Sequence, residues 1–213
     1  MSAKNLEISP AHIEFWFEFA SNYSYLSVMR IEAAARRHGV QVHWRPFLLG
    51  PIFRSLGWTN SPFVLQKAKG DYVWKDMIRQ CAKHGLPWQK PTAFPRSSLL
   101  PLRVALLGAE QSWGADFCRE IMLRNFVENR EIDTSHDVSE VLKKLNLPLE
   151  QIINDALSEG NKLKLWEQTQ TAVDKGIFGA PTFFVGSEMF WGDDRLDDAL
   201  TYCVQQAVAN AAV

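Results

Sequence analysis

The distribution of strand-like and helix-like patterns along the chain limits the folds that are open to it. Runs typical of strands lie near the two ends, at 13–19, 40–47 and 181–192, whereas the stretch from Gln66 to about Gly176 is mostly helical in pattern. A helix-like stretch between the first two strands makes a βαβ unit, whose strands are parallel. The chain therefore predicts an α/β fold of the order βαβ, long helical insertion, ββα.

The C-terminal part of this prediction is a hairpin followed by a helix. PTFFVG (181–186) and EMFWG (188–192) predict two antiparallel strands, and the helix after them begins with several aspartates. The stretch 48–63 is interrupted by Gly and Pro, which indicates an irregular loop. We expect a discontinuous sheet domain, formed by 1–50 and 177–213, and a helical insertion domain, 51–176.

Composition and charge exclude several classes of function. The net charge is −1 over 213 residues, so no basic field indicates binding to nucleic acid or to an anionic membrane. The chain has no pattern of a signal peptide or of a membrane-spanning helix. Its three cysteines, Cys81, Cys118 and Cys203, are far apart, which argues against a disulfide framework or a zinc site. We expect a cytoplasmic protein without a bound metal.

The segment SNYSYL follows the first strand and contains two serines, Ser21 and Ser24, at the point where a helix begins. Serine is a favoured N-cap residue, because its side-chain oxygen accepts a hydrogen bond from a free backbone N–H of the first turn. The end of a strand is also a common place for a reactive group. Taken alone, the segment favours the plain cap.

The order of elements resembles the thioredoxin-like fold with an inserted helical domain, as in bacterial periplasmic disulfide oxidoreductases. In that fold a redox-active C-x-x-C motif lies at the start of the first helix, where this chain has Ser21 and Ser24. A dithiol–disulfide cycle needs two thiols. The resemblance therefore implies the fold without the oxidoreductase chemistry.

Local motifs carry a closer resemblance. FEFASNYSYLS and GIFGAPTFFVGSEMFWGDDRLDDAL resemble the N-terminal serine motif and the C-terminal signature of kappa-class glutathione transferases and 2-hydroxychromene-2-carboxylate isomerases. WTNSPFVLQKAKGDYVWKDMIR is nearer to the isomerases, and the resemblance covers nearly the whole chain. One position departs from the motif: these families usually have Pro after the first serine, and this chain has Asn22.

The resemblance implies glutathione as a cofactor, with Ser21 beside its sulfur. A free thiol has a pKa near ~8.5 and is mostly protonated at neutral pH. A hydroxyl donor and the N-terminus of a helix both stabilise the thiolate, so Ser21 would activate the nucleophile without being it. With the C-terminal signature present, this role is favoured over the plain cap.

The same resemblance implies a cis peptide bond between Ala180 and Pro181, facing the serine turn. The backbone N–H and C=O of Ala180 would pair with the peptide part of glutathione, as an added strand would. The alternative is a trans proline that begins an edge strand.

Further residues are assigned to the γ-glutamyl end and the tripeptide. Asp194 suits the ammonium group of the γ-glutamyl end of glutathione. The carboxylate of that end suits the N–H of Asp193 and the helix start, which includes Arg195. Asn60 matches a position that holds the tripeptide. The alternatives are acidic residues that only favour a helix start, and an Asn-Ser-Pro turn.

Aromatic and charged residues at the start of the helical insertion are candidates for the substrate side: Lys67, Lys69, Tyr72, Trp74, Asp76 and Trp88. Aromatic walls with a cation suit an aromatic carboxylate, although a solvated helix face with core tryptophans explains each residue equally well.

The resemblance implies a glutathione-dependent isomerase of the 2-hydroxychromene-2-carboxylate type, which acts by reversible thiolate addition, bond rotation and elimination, and forms a homodimer. The alternatives are a kappa-like transferase, in which the adduct is the product, and a catalytically silent glutathione-binding module.

Overall fold

The structure, a computed structural model, describes residues 11–211 and has the predicted order of elements. The strands are β1 (His12–Phe17), β2 (Gln41–Pro46), β3 (Thr182–Val185) and β4 (Glu188–Trp191). The helices are α1 (Asn22–His38), α2 (Leu49–Ser55), α3 (Pro62–Leu65), α4 (Lys67–His84), α5 (Leu99–Gly108), α6 (Gly114–Phe126), α7 (Ser135–Lys144), α8 (Leu149–Leu157), α9 (Glu159–Asp174) and α10 (Leu196–Ala211).

The sheet brings the two ends of the chain together. Its strand order is β2-β1-β3-β4, with β1 parallel to β2, and β3 antiparallel to both β1 and β4. Phe15, in the middle of β1, lies opposite Trp44 of β2 and Phe183 of β3. The parallel βαβ unit and the C-terminal hairpin are therefore confirmed.

Both faces of β1 are covered, which explains the mixed pattern of its residues. Ile13, Phe15 and Phe17 are fully buried on one face, in the main hydrophobic cluster, which also holds residues of the inserted helices. On the other face Trp16 packs in a smaller cluster with Phe47, Ile52, Ala172, Ile177 and Phe184. A strand covered on both faces does not need polar residues at every second position. Since the main cluster joins the sheet to the inserted helices, the division into two domains stays a prediction.

The prediction of an irregular loop at 48–63 is wrong in part, because this stretch contains α2 and α3. Gly50 and Pro51 lie in the first turn of α2, and Pro62 is the first residue of α3. The first N–H groups of a helix have no intrahelical partner, so proline costs no hydrogen bond there. Ser61 caps α3 by accepting a hydrogen bond from the N–H of Phe63. Gly50, Pro51 and Pro62 are thus helix-start residues, whereas Gly57, with φ +80°, lies in the turn after α2.

Because β1 lies in the core, truncation of one of its isoleucines should lower the free energy of unfolding far more than truncation of an exposed isoleucine. Ile13→Ala removes a fully buried side chain, and we expect the free energy of unfolding to fall by about 2–5 kcal/mol. Ile78→Ala makes the same truncation on α4, where the side chain is 61% exposed, and alanine is the better helix former. Urea denaturation of both variants measures the difference, and equal losses would contradict this account of the core.

Candidate functional site

A cavity of about 510 Å³ opens beside the start of α1. The segment 48–63 contributes more of its wall than any other segment, and the rest comes from 18–23, Lys69, 94–99 and the two sides of the β3–β4 hairpin. Aromatic side chains dominate the wall: Tyr23, Phe53, Trp58, Phe63, Phe94, Phe178 and Trp191. Small-molecule sites typically have volumes of about 300–1,000 Å³ and apolar, aromatic walls with a few polar groups, so the cavity suits a small ligand.

Ser21 joins the two ends of the chain in the wall of this cavity. It is the N-cap of α1, and its Oγ accepts a hydrogen bond from the N–H of Ser24 at 3.2 Å. The same hydroxyl donates to the carbonyl oxygen of Ala180 at 2.9 Å. The Ala180–Pro181 bond is cis, as the resemblance implies. Ser21 therefore serves as a helix cap and is also in the cavity, so the two roles do not exclude each other.

Glu18 is the only carboxylate residue among the described residues of the wall. It is 4% exposed, and its carboxylate accepts hydrogen bonds from the hydroxyl of Ser98 and from the N–H of Ala20, the latter at 2.9 Å. Burial raises the pKa of Glu18 to about 7, against the opposing effect of these two donors. Because the N–H of Ser21 donates to the carbonyl of Glu18 at 3.1 Å, this buried acid lies at the base of the turn that presents Ser21.

Side chains of the inserted helices hold this turn at three points. The hydroxyl of Ser98, directly before α5, bonds Glu18. The amide of Asn125, on α6, donates to the carbonyl of Phe19 at 2.9 Å. Asp76, on α4, accepts a hydrogen bond from the hydroxyl of Tyr23 at 2.8 Å. The position of the cavity residues on 18–23 thus depends on the helical segment as well as on the sheet.

The structure brings together five of the residues assigned from the sequence. The cavity wall includes Ser21, Asn60, Lys69, Ala180 and Pro181. Asn60 is exposed, and its side-chain oxygen accepts a hydrogen bond from the N–H of Ser61 at 2.7 Å. Lys69 lies with its ammonium 5.9 Å from the ring centroid of Phe63.

The three residues assigned to the γ-glutamyl end lie beside the cavity, in a short 3-10 turn before α10. The carboxylate of Asp193 is buried and bonds the hydroxyl of Ser27 at 2.8 Å and the guanidinium of Arg30 at 2.8 and 3.0 Å. Burial raises the pKa of Asp193, whereas Arg30 and Ser27 oppose this effect. The side chain of Asp193 therefore fixes the turn to α1, which leaves its backbone as the part available for a ligand.

Asp194 and Arg195 are exposed. A Cβ placed on Gly192, which lines the cavity, would lie 2.5 Å from Oδ1 of Asp194, so this carboxylate lies at the edge of the wall. Arg195 bonds Asp198 at 2.8 Å.

Five of the six residues proposed for the substrate side lie outside the described cavity wall: Lys67, Tyr72, Trp74, Asp76 and Trp88. Lys67 pairs with Asp71, and Asp76 bonds Tyr23. Tyr72 is 57% exposed on α4. Trp74 and Trp88 stack on each other with centroids 6.2 Å apart, and Trp88 also stacks on Phe126 at 5.6 Å. Their role at the substrate stays a prediction, and the packing supports the alternative of structural tryptophans.

The cavity also contains functional candidates that the sequence pattern did not identify. Arg54 is an exposed cation of the wall, and Phe53 is one of its aromatic residues. Both lie on α2, in the stretch interpreted as a loop. Glu18 could have been noticed, since a carboxylate in the apolar run IEFWFEFA requires a buried partner or a raised pKa.

Comparisons with known proteins identify the family and the fold. Residues 12–203 match the family model of the DSBA-like thioredoxin domain. The chain is 27% identical to a 2-hydroxychromene-2-carboxylate isomerase of Pseudomonas putida, over 86% of this chain and 90% of that protein. It is 24% identical to glutathione S-transferase kappa 1 of Rattus norvegicus, over 89% of each chain.

A solved structure of a 2-hydroxychromene-2-carboxylate isomerase superposes with a TM-score of 0.84 at 24% identity, and covers 94% of this chain and 98% of its own. This likeness shows that the two chains share the fold. Among residues 11–211, no helix combines the length and the apolar character needed to cross a bilayer.

The raised pKa of Glu18 predicts a pH-dependent stability. Between pH 4.5, the ordinary pKa of the group, and about 7, the folded state holds a proton that the unfolded state has lost. The free energy of unfolding therefore falls as pH rises through this window, by on the order of 3 kcal/mol, and is constant above it. Glu18→Gln should remove this dependence in urea denaturation between pH 5 and 8.

Glu14→Gln is the matched control, because hydrogen bonds and charges from Lys175, with the hydrogen bond from Trp16, outweigh burial and lower the pKa of Glu14. This variant should keep the slope of the parent between pH 5 and 8. A Glu18→Gln protein with the parent's slope would show that another group titrates.

Proposed function

We propose that this chain, which belongs to the DSBA-like thioredoxin domain family, is a glutathione-dependent isomerase of the 2-hydroxychromene-2-carboxylate type. The observation that carries the proposal is the position of Ser21, whose hydroxyl lies between the start of α1 and the carbonyl before the cis proline, in the wall of an aromatic cavity. Three relatives that align over most of their length and of this chain are named 2-hydroxychromene-2-carboxylate isomerases, which supports the reaction class.

The residues of the cavity fit glutathione. Ser21 and the N-terminus of α1 suit its sulfur, the backbone of Ala180 suits its peptide part, and Asn60 and Asp194 are the polar groups for the rest of the tripeptide. When bound, glutathione supplies a thiolate that can add reversibly to an unsaturated carbon of the substrate. The chain has to bind this cofactor, keep its sulfur ionised and orient the substrate against it.

Ser21 performs the second task by an exchange of acceptors. In the structure its hydroxyl donates its proton to the carbonyl of Ala180. A peptide N–H of the ligand can take over that carbonyl, as an added strand does, and the hydroxyl then turns to donate to the anion. A donor to the charged form lowers the pKa of a thiol, so binding of the peptide part and activation of the sulfur are coupled through one oxygen.

The aromatic and cationic part of the cavity wall suits an aromatic carboxylate. Arg54 and Lys69 supply positive charge to the same wall as the rings of Phe53, Trp58 and Phe63. A guanidinium can hold a carboxylate by two parallel hydrogen bonds, and aromatic walls accept a planar ring. This arrangement supports the substrate class that the names of the isomerase relatives indicate.

Two alternative functions would use the same cavity. The similarity to a kappa-class transferase favours a second candidate, in which glutathione is consumed, and a silent module would bind glutathione without turnover. Turnover of 2-hydroxychromene-2-carboxylate, followed together with the free thiol, separates the three. We expect turnover that requires glutathione and leaves the thiol concentration constant. We further propose that the protein acts in the cytoplasm, as a homodimer.

Removal of the Ser21 hydroxyl should raise the pKa of bound glutathione. Turnover at neutral pH should fall by roughly one to three orders of magnitude, the range seen when a single donor to developing charge is lost. Because Ser21→Ala also removes a helix cap, at a cost of roughly 0.5–2 kcal/mol, Ser21→Gly is the better variant, since glycine costs only a few tenths at this position. The measurement is the ultraviolet absorbance of the thiolate against pH.

Ser24→Ala is the matched control, because the Ser24 hydroxyl is buried and has no hydrogen-bond partner among the described residues. It should titrate like the parent. If Ser24→Ala shifts the thiolate pKa and Ser21→Gly does not, the roles of the two serines are reversed.

Arg54→Gln should weaken the binding of the substrate and leave glutathione binding unchanged. Loss of a hydrogen bond to a charged group typically costs about 1.5–3 kcal/mol, so we expect the KM for a carboxylate substrate to rise by roughly tenfold or more. Arg79→Gln removes an exposed cation of α4 that is outside the cavity wall, and should leave the KM unchanged. A rise only in the KM for glutathione would show that Arg54 contacts glutathione and not the substrate.

A further inference from the structure

Asn22 lies in the wall of the cavity, directly after Ser21, as the first residue of α1. It is fully buried, and neither its amide nitrogen nor its amide oxygen has a hydrogen-bond partner. In the part of the chain that the structure describes, five buried side-chain atoms lack a partner, and three of them belong to Asn22 and Ser24. The unpartnered groups are therefore concentrated in the turn that carries Ser21.

An unpaired buried amide is unfavourable, because it has lost its hydrogen bonds to water without replacement. Buried polar groups in native proteins are nearly always paired, so an exception in a ligand cavity points to a partner that arrives with the ligand. The position does not require an amide for the helix itself. Proline, which these families usually have here, is well suited to the first residue of a helix.

We propose that the side-chain amide of Asn22 is a second hydrogen-bond donor to the sulfur of bound glutathione, beside the hydroxyl of Ser21. The proposal rests on the proposed function and deepens it. The positive end of α1 and the Ser21 hydroxyl already favour an anion at this point, and the amide nitrogen is one residue away without an acceptor of its own. The amide turns toward the sulfur on binding, and its hydrogen bond to the charged thiolate replaces the hydrogen bonds to water that the buried amide has lost.

The proposal predicts opposite effects on stability and on binding. Asn22→Ala removes the unpaired amide and keeps the backbone N–H, and Asn22→Pro introduces the usual residue of the family. Both variants should melt at or above the midpoint of the parent in the absence of ligand. In calorimetry both should bind glutathione roughly tenfold or more weakly, the range expected when a hydrogen bond to a charged group is lost. The thiolate pKa, measured by ultraviolet absorbance, should rise.

Asn161→Ala is the matched control, because Asn161 is a buried asparagine of α9 that lies outside the cavity wall. Its amide oxygen is also unpartnered, but its amide nitrogen donates to the carbonyl of Arg103 at 3.0 Å. It should lower the melting midpoint by roughly 2–4 °C or more and leave glutathione binding unchanged. A fall in the midpoint of both Asn22 variants, comparable with that of Asn161→Ala, would show that the Asn22 amide is structural and overturn the proposal.

S-methylglutathione, which cannot form a thiolate, identifies the atom that Asn22 contacts. The Asn22 variants should bind it as tightly as the parent does. An equal loss for both ligands would place the contact elsewhere on the tripeptide and overturn the inference. Unchanged glutathione binding in the Asn22 variants overturns the inference and leaves the proposed function intact, whereas a parent protein that does not bind glutathione overturns both.

Discussion

The hydrogen bond from the Ser21 hydroxyl to the carbonyl of Ala180 connects residues that are 159 positions apart in the sequence. It forms because β1 and β3 are neighbours in the sheet, so the turn that follows β1 meets the turn that precedes β3. The cavity lies at this junction, and both turns contribute to its wall. The sheet order therefore determines where a ligand can meet both a helix N-terminus and an exposed backbone carbonyl.

One oxygen serves two structural purposes at this junction. Ser21 Oγ caps α1 by accepting from Ser24 and closes the junction by donating to Ala180. A hydroxyl can accept and donate at the same time, which neither a carboxylate nor a carbonyl can do. The sequence interpretation treated the cap and the site residue as alternatives, but the geometry makes the cap the reason that the hydroxyl is held in place.

The order of elements, the parallel βαβ unit and the hairpin were predictable, because they follow from the period and length of apolar runs. The wall of the cavity was less predictable from the sequence. Pro51 and Pro62 suggest breaks in the pattern, although each lies at a helix start where proline is tolerated.

The burial of Asp193 could not be inferred from local sequence either. It depends on Ser27 and Arg30, which lie on a helix more than 160 residues earlier in the chain. The tryptophans at 74 and 88 have the composition of a binding wall, and only tertiary structure shows that they stack on each other. Long-range pairing, which a local pattern does not record, accounts for each of these differences.

The three contacts that tie the serine turn to the inserted helices limit how the protein can be recombined with its relatives. A chimera that takes its helical segment from another member of the family would keep the sheet, yet the turn would lose its partners unless the donor supplied equivalents of Asp76, Ser98 and Asn125. The exposed outer surfaces of the same helices make no contact with the turn and do not need matching residues. Shuffling of this segment is therefore constrained at three polar positions that face the turn, in addition to the buried residues that pack against the sheet and the residues that line the cavity.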